Sequence, residues 1–190
     1  MLEGITYDDI KDPQVKIYLR PLKISDALDV YHHIKSRRVR EYMLSIPNPY
    51  RYQDALFFIR RAQRERKKGL SYTFGIIHQE TDSLIGVISL SKIDRKNKNC
   101  ELGYWLTDKY WNRGIMTRAV QMVLEYAFEK LKLHRISAKS LADNAGSLRV
   151  LEKNHFRLEG VLYDAVYRNR YWHNLFVYGI LKSDYERFFK

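Results

Sequence analysis

The sequence predicts a mixed α/β fold, with helices flanking a central sheet, and three observations support this. Apolar residues make up 45% of the 190 residues, enough for a substantial core. Runs rich in β-branched and aromatic residues alternate with amphipathic segments whose apolar positions recur every three or four residues. These runs follow one another without a linker, an internal repeat or a low-complexity segment. We therefore expect one domain over residues 1–190, a length typical of single domains.

The first half of the chain contains the signals for a strand, two helices and a hairpin. The run VKIYLRPL predicts a first strand ending near Pro21, and Ser25 has the character of an N-cap for the first helix. The second helix lies within NPYRYQDALFFIRRAQRERKKG and stops at Gly69. SYTFGIIHQ and SLIGVISLSKI, separated by the turn-like ETDS, predict a hairpin. KNCELGYWL predicts a further strand.

The second half predicts two helices and three strands. Apolar and polar positions separate into two faces over residues 114–131, which indicates an amphipathic helix. RISAKSL reads as a short strand, and Asp143 or Asn144 caps the next helix. RLEGVLYDAVY and YWHNLFVYGIL predict the last two strands.

The charge and composition of the chain narrow the classes of protein it can represent. The formal net charge is +12, and the densest basic clusters lie at residues 60–68 and 35–40. Such clusters bind phosphates in general, or they form the solvated face of a helix. Neither cluster lies in a recognisable nucleic-acid-binding motif, so we expect no nucleic-acid partner beyond incidental contact with a ribosome.

Other absences from the sequence support a cytoplasmic protein without a metal. Cys100 is the only cysteine, which excludes an internal disulfide and a multi-cysteine zinc site. No group of His, Asp or Glu has the spacing of metal ligands, so no metal is expected. No run of about 18 apolar residues predicts a membrane span. The acidic N-terminal stretch lacks the apolar core of a secretory signal.

The stretch WNRGIMTRAV places Gly114 between an aromatic-rich strand and a helix. The first amides of a helix have no intrahelical partner, and the helix dipole adds partial positive charge there. Glycine lets an anion approach the backbone closely, while Arg113 and the Thr117 hydroxyl supply further contacts. This pattern indicates a phosphate site, although an ordinary strand-to-helix turn would look the same. The Walker and Rossmann fingerprints are both missing from the sequence.

A longer series of motifs gives a more specific indication. ELGYWL, TDKYWNRG, IMTRAVQMVLEYAF, RISAKSL and DNAGSLRVLEKNHF follow one another in order. The series resembles the GNAT superfamily of acyl-CoA N-acyltransferases, and within it the branch that acetylates the N-terminal residues of ribosomal proteins. The resemblance covers residues 16–185, with its motif core at about 84–160.

The resemblance implies a central mixed, mostly antiparallel sheet, splayed open at the cofactor cleft and flanked by helices. Acetyl-CoA would lie in that opening, with its pantetheine arm beside Trp105 and Leu106 and hydrogen-bonded by Asn144. The residues expected around its pyrophosphate are Asn112, Arg113, Gly114, Ile115, Met116 and Thr117. The chain departs from the family pattern at Trp111, at Met116 and at Asn112, which replaces a frequent second glycine. Because the cradle works through main-chain donors, these changes leave its chemistry in place.

Acetyl transfer to an amine needs a neutral amine and a proton for the leaving thiolate. The resemblance places Ser147 where the family protonates the sulfur of CoA, although a serine in the first helical turn also bonds the backbone. Glu101 is the leading candidate for the base, because several members of the superfamily use a glutamate on this strand. Some relatives carry a carboxylate on the late strand, where this chain has Val166. Asp164, two residues earlier and on the same face by alternation, is the substitute.

The sequence therefore predicts an acetyl-CoA-dependent N-acetyltransferase. The favoured acceptor is the N-terminal amine of a ribosomal or other protein. A small amine such as a polyamine, an amino sugar or an antibiotic is the alternative, and a non-catalytic module that binds acyl-CoA or RNA is a third possibility. No membrane partner is expected, and the protein is expected to be a monomer or a homodimer.

Overall fold

The computed structural model describes residues 5–6, 15–43 and 46–190. The strands are β1 (Ile5–Thr6), β2 (Ile17–Pro21), β3 (Tyr72–His78), β4 (Ser83–Asp94), β5 (Asn99–Leu106), β6 (Arg135–Leu141), β7 (Arg157–Arg168) and β8 (Tyr171–Leu181). The α-helices are α1 (Ala27–Lys35), α2 (Arg37–Arg40), α3 (Tyr52–Lys67), α4 (Ile115–Glu125), α5 (Ala145–Lys153) and α6 (Lys182–Phe189).

The strands form one sheet in the order β1-β2-β3-β4-β5-β6-β8-β7. All neighbouring pairs are antiparallel except β5 and β6, which run parallel and are connected through α4. A parallel pair requires such a crossover connection, and a helix is the usual solution. The expected mixed and mostly antiparallel sheet is confirmed.

The parallel pair separates before either strand ends. The β5–β6 ladder runs from Asn99↔Arg135 to Leu102↔Ala138 and stops there, although β5 continues to Leu106. On its other side, β5 stays paired with β4 as far as Gly86↔Leu106. The sheet is therefore splayed open along one edge of residues 103–106, as expected.

Each face of the sheet is covered by its own core. Strand β5 shows the division by strict alternation: Leu102 and Leu106 pack in a core with α4, whereas Trp105 packs with α1 and α3. Phe128 and Ile136 are fully buried in the first core, and Ile59 is fully buried in the second. Helices thus cover both faces, and the gap between β5 and β6 connects the two sides.

Several local predictions need correction. Ser25 does not cap the first helix: it lies in a 3-10 turn (Ile24–Asp26), and Asp26 precedes α1 instead. The Asp26 carboxylate accepts the Lys23 amide at 2.7 Å and both terminal nitrogens of Arg20 at 2.8 Å each. The Asp26 carboxylate therefore closes the turn before α1 and makes no cap hydrogen bond to α1 itself.

The helix predicted over residues 114–131 changes its hydrogen-bonding pattern partway. Helix α4 ends at Glu125 and continues as a π-helix over Tyr126–Lys130. The wider turn contains the buried Phe128, which packs against Tyr185 of α6 at a ring distance of 5.1 Å. Helices α2 and α6 have no counterpart among the sequence predictions, because both are too short to establish a helical period.

Candidate active site

A cavity of about 890 Å³ occupies the gap between β5 and β6. Its lining comes from the ends of both strands, the N-termini of α4 and α5, and the inner side of α1, α2 and α3. It therefore passes from the α4 side of the sheet to the α1–α3 side. Two reactants can enter such a site from opposite faces and meet at the splayed strands.

The start of α4 forms one wall of the cavity. Gly114 is the N-cap with a φ of +78°, and a Cβ at this position would meet no atom within 4 Å. Positive φ values favour glycine, and the free space beside it leaves the first amides of α4 accessible. Asn112, also at a positive φ of +62°, lines the same wall. This wall fits an anionic group such as a diphosphate.

The residues predicted around the cofactor mostly lie on this cavity. The lining includes Trp105, Leu106, Asn112, Gly114, Ile115, Met116, Thr117 and Asn144. Arg113 does not line the cavity, and its guanidinium lies over the ring of Tyr110, 5.8 Å from the ring centre. The binding roles of all nine residues stay predictions.

Ser147 lies in the first turn of α5 and reaches across the cavity to β5. Its hydroxyl is 3.0 Å from the Tyr104 hydroxyl, and its amide donates to Asn144 Oδ1 at 3.1 Å. Asn144 is thus the N-cap of α5, which resolves the choice between Asp143 and Asn144. Burial raises the pKa of Tyr104 well above its ordinary value, so its hydroxyl keeps its proton. The pair forms a protonated hydroxyl chain at the cavity wall.

Glu101 lines the cavity from the other face of β5. Its Cα pairs with Ser91 on β4 and with Ser137 on β6, one residue before the ladder ends. The carboxylate accepts a hydrogen bond from Lys92 Nζ at 2.9 Å, and its side chain is 28% exposed. The Glu101 carboxylate, one residue before β5 and β6 separate, is therefore accessible to a ligand on the α1–α3 side.

Asp164 occupies a different environment from the one that strand alternation predicts. A bulge interrupts the β7–β8 register between Leu162 and Val166, and Asp164 lies within it at a φ of +47°. The residue is exposed, its amide donates to Asn174 Oδ1 at 2.9 Å, and it does not line the cavity. Alternation holds only for a regular strand, so the argument that placed Asp164 on the face of Val166 fails. Its catalytic role stays a prediction.

Two cations on the cavity were missed by the sequence reasoning. Arg149 and Lys153 lie four residues apart on α5, so they share one face, and both line the cavity. Neither belongs to the motif that directed attention to Gly114. The signal available in the sequence was their spacing of four residues on the helix predicted after the cap at Asp143 or Asn144.

Hydrogen bonds from Asn154 join α4 to α5 and fix the position of the two helices relative to each other. Asn154, fully buried, donates its side-chain amide to Thr117 O at 3.3 Å and to Val150 O at 2.8 Å. The next residue, His155, has a φ of +59° and stacks on Phe188 at 4.0 Å. A positive φ would suit a glycine here, and the packing on Phe188 accounts for the histidine.

The chemistry available in the cavity is that of carboxylates, hydroxyls, amides and cations. Within residues 5–6, 15–43 and 46–190, no group of three or more His, Cys, Asp or Glu residues could hold a metal ion. In the same part of the chain, no helix has both the length and the apolar character needed to cross a membrane.

Comparison with known proteins identifies relatives that are acetyltransferases. Residues 16–157 match the family model of the acetyltransferase (GNAT) domain. The chain is 37% identical over 175 residues to a probable N-acetyltransferase, YjcK, of Bacillus subtilis (strain 168), covering 90% of this chain and 97% of that protein. It is 31% identical over 162 residues to the ribosomal-protein-serine acetyltransferase of Escherichia coli (strain K12), covering 78% and 89%.

A solved structure supports the fold. The ribosomal L7/L12 alpha-N-protein acetyltransferase RimL, solved in complex with coenzyme A, superimposes with a TM-score of 0.81. The match covers 88% of this chain and 95% of that one at 22% identity, a level that shows the shared fold. A splayed sheet with a glycine-capped helix, together with a family match over most of the chain, leads to one conclusion: this protein belongs to the GNAT family and is an N-acetyltransferase.

Proposed function

We propose that the protein transfers the acetyl group of acetyl-CoA to the N-terminal amine of a polypeptide, with ribosomal proteins as the first class to test. The observation that carries the proposal is the cavity that runs through the splayed sheet. One of its sides presents helix N-termini suited to a nucleotide-linked diphosphate, and its other side is open to a second reactant.

On the side that binds acetyl-CoA, the residues around α4 and α5 have the following proposed roles. The α4 amides from Ile115 to Thr117 bind the pyrophosphate, because they are free of intrahelical partners. Arg149 and Lys153 add positive charge on the facing wall for the remaining phosphate. Along β5, residues 103–106 offer the backbone edge that β6 has left, which suits the amide-containing pantetheine arm.

In the reaction, acetyl-CoA supplies a thioester carbonyl that the neutral amine attacks. The Glu101 carboxylate takes the amine's proton, directly or through water, because an amine is largely protonated at neutral pH. As the C–S bond breaks, the Ser147 hydroxyl donates a proton to the sulfur. Tyr104 donates a hydrogen bond to the Ser147 oxygen across the 3.0 Å contact and keeps its own proton, and Ser147 regains its proton from solvent in the cavity.

The acceptor is assigned from the chemistry of the site and from similarity to the E. coli ribosomal-protein-serine acetyltransferase, of which 89% is covered. The net charge of +12 argues against a polycationic acceptor, since like charges repel at the entrance. A polypeptide N-terminus carries a single ammonium and can approach through an open mouth.

The test is a thiol-release assay with purified protein, acetyl-CoA and three matched acceptor sets. One set holds peptides with a free N-terminus, one holds the same peptides N-terminally blocked with an internal lysine, and one holds polyamines. We expect release of free CoA with the first set, and mass spectrometry should place the acetyl group on the α-nitrogen. Turnover confined to blocked peptides or polyamines would contradict the proposal.

A further inference from the structure

We infer that the acceptor amine carries a large apolar or aromatic side chain beside it, in place of the small residue of an alanine or serine N-terminus. This inference rests on the proposed function, because it concerns the acceptor that the same cavity takes. It follows from the wall of the cavity that lies opposite Glu101, on the α1–α3 side of the sheet.

This wall, called here the helical wall, is predominantly apolar. Its residues are Ile34, Val39, Tyr42, Met43, Ile46, Pro47, Tyr50, Asp54, Phe57, Phe58 and Arg61. Nine of the eleven are aliphatic, aromatic or proline. A polar acceptor would gain little from such a surface, whereas an apolar side chain loses its contact with water on entering it.

Each of the two charged residues of the helical wall makes a hydrogen bond to another residue of α3 or of its N-cap. Asp54 accepts the Arg51 amide at 2.7 Å, in the first turn of α3. Arg61 Nε donates to Glu65 Oε1 at 2.6 Å. Each charge therefore already has a hydrogen-bond partner at α3, and the rest of the helical wall is apolar. Selection at this wall therefore depends on apolar contact and shape.

Helix α3 carries an exposed apolar side chain that does not pack in the core. Ala55, Ile59 and Ala62 form its buried stripe in the core beneath. Phe57 and Phe58 lie on the cavity side, and Phe57 is 62% exposed. An exposed phenylalanine at a cavity mouth contributes nothing to the core. Its contact area is available to a ligand.

The geometry of the helical wall is held by a contact from the far end of the sheet. Arg168, at the end of β7, donates to Met43 O at 2.8 Å and to Arg40 O at 2.9 Å. This fixes the segment after α2 that places Tyr42 and Met43 on the cavity. A preformed apolar wall discriminates between side chains better than a loose one, because binding then costs less ordering.

The wall and the site of chemistry belong to one cavity. Val87 and Ser89 of β4 and Gly103 of β5 also line the cavity, on the face of the sheet that carries Glu101 and Trp105. Since Gly103 has no side chain, it leaves space in the cavity next to Glu101. An amine at Glu101 would place the side chain on its own α-carbon toward the helical wall.

The experiment measures kcat/KM for four peptides that differ only in the first residue: Ala, Ser, Leu or Phe. We expect Leu and Phe to exceed Ala and Ser by about tenfold or more, the discrimination typical of one buried apolar group. The ratio of kcat/KM for the Phe peptide to kcat/KM for the Ala peptide should fall at least about fivefold in Phe57→Ala. Phe57→Leu should largely retain this ratio. Leu28→Ala is the matched control: Leu28 is also exposed and on a helix, but it does not line the cavity.

Equal or higher activity with Ala and Ser would overturn the inference, as would a Phe57→Ala effect that is the same for all four peptides. Two simple amines separate this result from the proposed function. If phenylethylamine is acetylated faster than ethylamine while no peptide is accepted, the apolar wall stands and the polypeptide acceptor is wrong. If neither apolar peptides nor phenylethylamine react but small polar amines do, the inference is wrong.

Discussion

Ser147 and Tyr104 show how two ordinary residues become a candidate proton donor through their surroundings. Ser147 is held by the Asn144 cap, and its hydroxyl meets that of Tyr104 at 3.0 Å. Because burial raises the pKa of Tyr104, its hydroxyl stays protonated throughout the neutral range. Neither hydroxyl needs a shifted pKa in the downward direction to donate a hydrogen bond.

Replacing Ser147 with alanine should lower kcat by about 10²-fold, in the range expected for loss of a positioned proton donor. The KM for acetyl-CoA should change little, because the hydroxyl acts on the sulfur only as it leaves. Steady-state kinetics on Ser147→Ala, Tyr104→Phe and the double variant provide the check. If the two residues act as one chain, the double variant resembles Ser147→Ala alone. An unchanged kcat in Ser147→Ala would remove it from the mechanism.

Gly114 allows a comparison in which strain and charge are separated. Any L-residue at its φ of +78° is strained, so alanine and glutamate share that cost. Only glutamate adds a negative charge beside the proposed diphosphate. Calorimetry should show that Gly114→Glu binds acetyl-CoA about tenfold more weakly than Gly114→Ala, since a charge–charge contact is worth about 1–2 kcal/mol in such a site. Equal affinities of the two variants would place the diphosphate elsewhere.

The elements of the fold matter to the site mainly where they meet far from their sequence neighbours. The β7–β8 hairpin reaches the short helix α2 through Arg168, whose partners Arg40 and Met43 lie 128 and 125 residues away. The two hydrogen bonds use the fork of one guanidinium on two carbonyls, one in the last residue of α2 and one three residues beyond it. The hairpin thus closes one end of the helical wall.

Arg168→Ala should raise the KM for a peptide acceptor several-fold and leave the KM for acetyl-CoA nearly unchanged, because the contact lies on the acceptor side of the sheet. Arg168→Lys should restore only part of the effect, since a lysine cannot donate to both carbonyls in the same fixed geometry. Initial rates with each substrate varied in turn distinguish these outcomes. A parallel rise in both KM values would show that Arg168 supports the fold in general.

At the scale of the whole molecule, the burial of tyrosines and of Cys100 makes the free energy of unfolding depend on pH in the alkaline range. Burial raises the pKa of Tyr50 and of Cys100 to about 12 each, from ordinary values of 10.0 and 9.0. It also raises the pKa of Tyr104, Tyr126 and Tyr178. Each of these groups holds its proton in the folded state at a pH where the unfolded chain has lost it. Their contribution to stability is therefore full below the unfolded pKa and disappears as the pH rises through the folded one.

The free energy of unfolding should accordingly fall from about pH 9 upward, first through Cys100 and then through the tyrosines. Each such group lowers it by about 1.4 kcal/mol per pH unit once the unfolded form is ionised. Urea titrations at pH 8, 9 and 10 measure the slope, and Cys100→Ala should make it shallower between pH 9 and 10. A stability independent of pH in this range would contradict the assigned burial.

Much of the fold was predictable because its signals are local. The strands at ELGYWL and RISAKSL, the helix after Gly114 and a cap at Asp143 or Asn144 each follow from spacing within a few residues, and the structure contains them all, with Asn144 as the cap. The errors have local causes as well. Ser25 resembled an N-cap, but a 3-10 turn moved the helix start, and α2 was too short for its period to appear. A bulge interrupted the alternation on which the argument for Asp164 depended.

The family, the order of elements and the helix N-terminus that faces the proposed diphosphate are encoded in short-range patterns, so they can be read directly from the chain. The assembled site cannot. The point at which β5 leaves β6, the contact of Ser147 with Tyr104 and the closure of the helical wall by Arg168 join segments separated by tens of residues or more. Periodicity carries no information on such pairings, because they are fixed by the packing of whole strands and helices against one another.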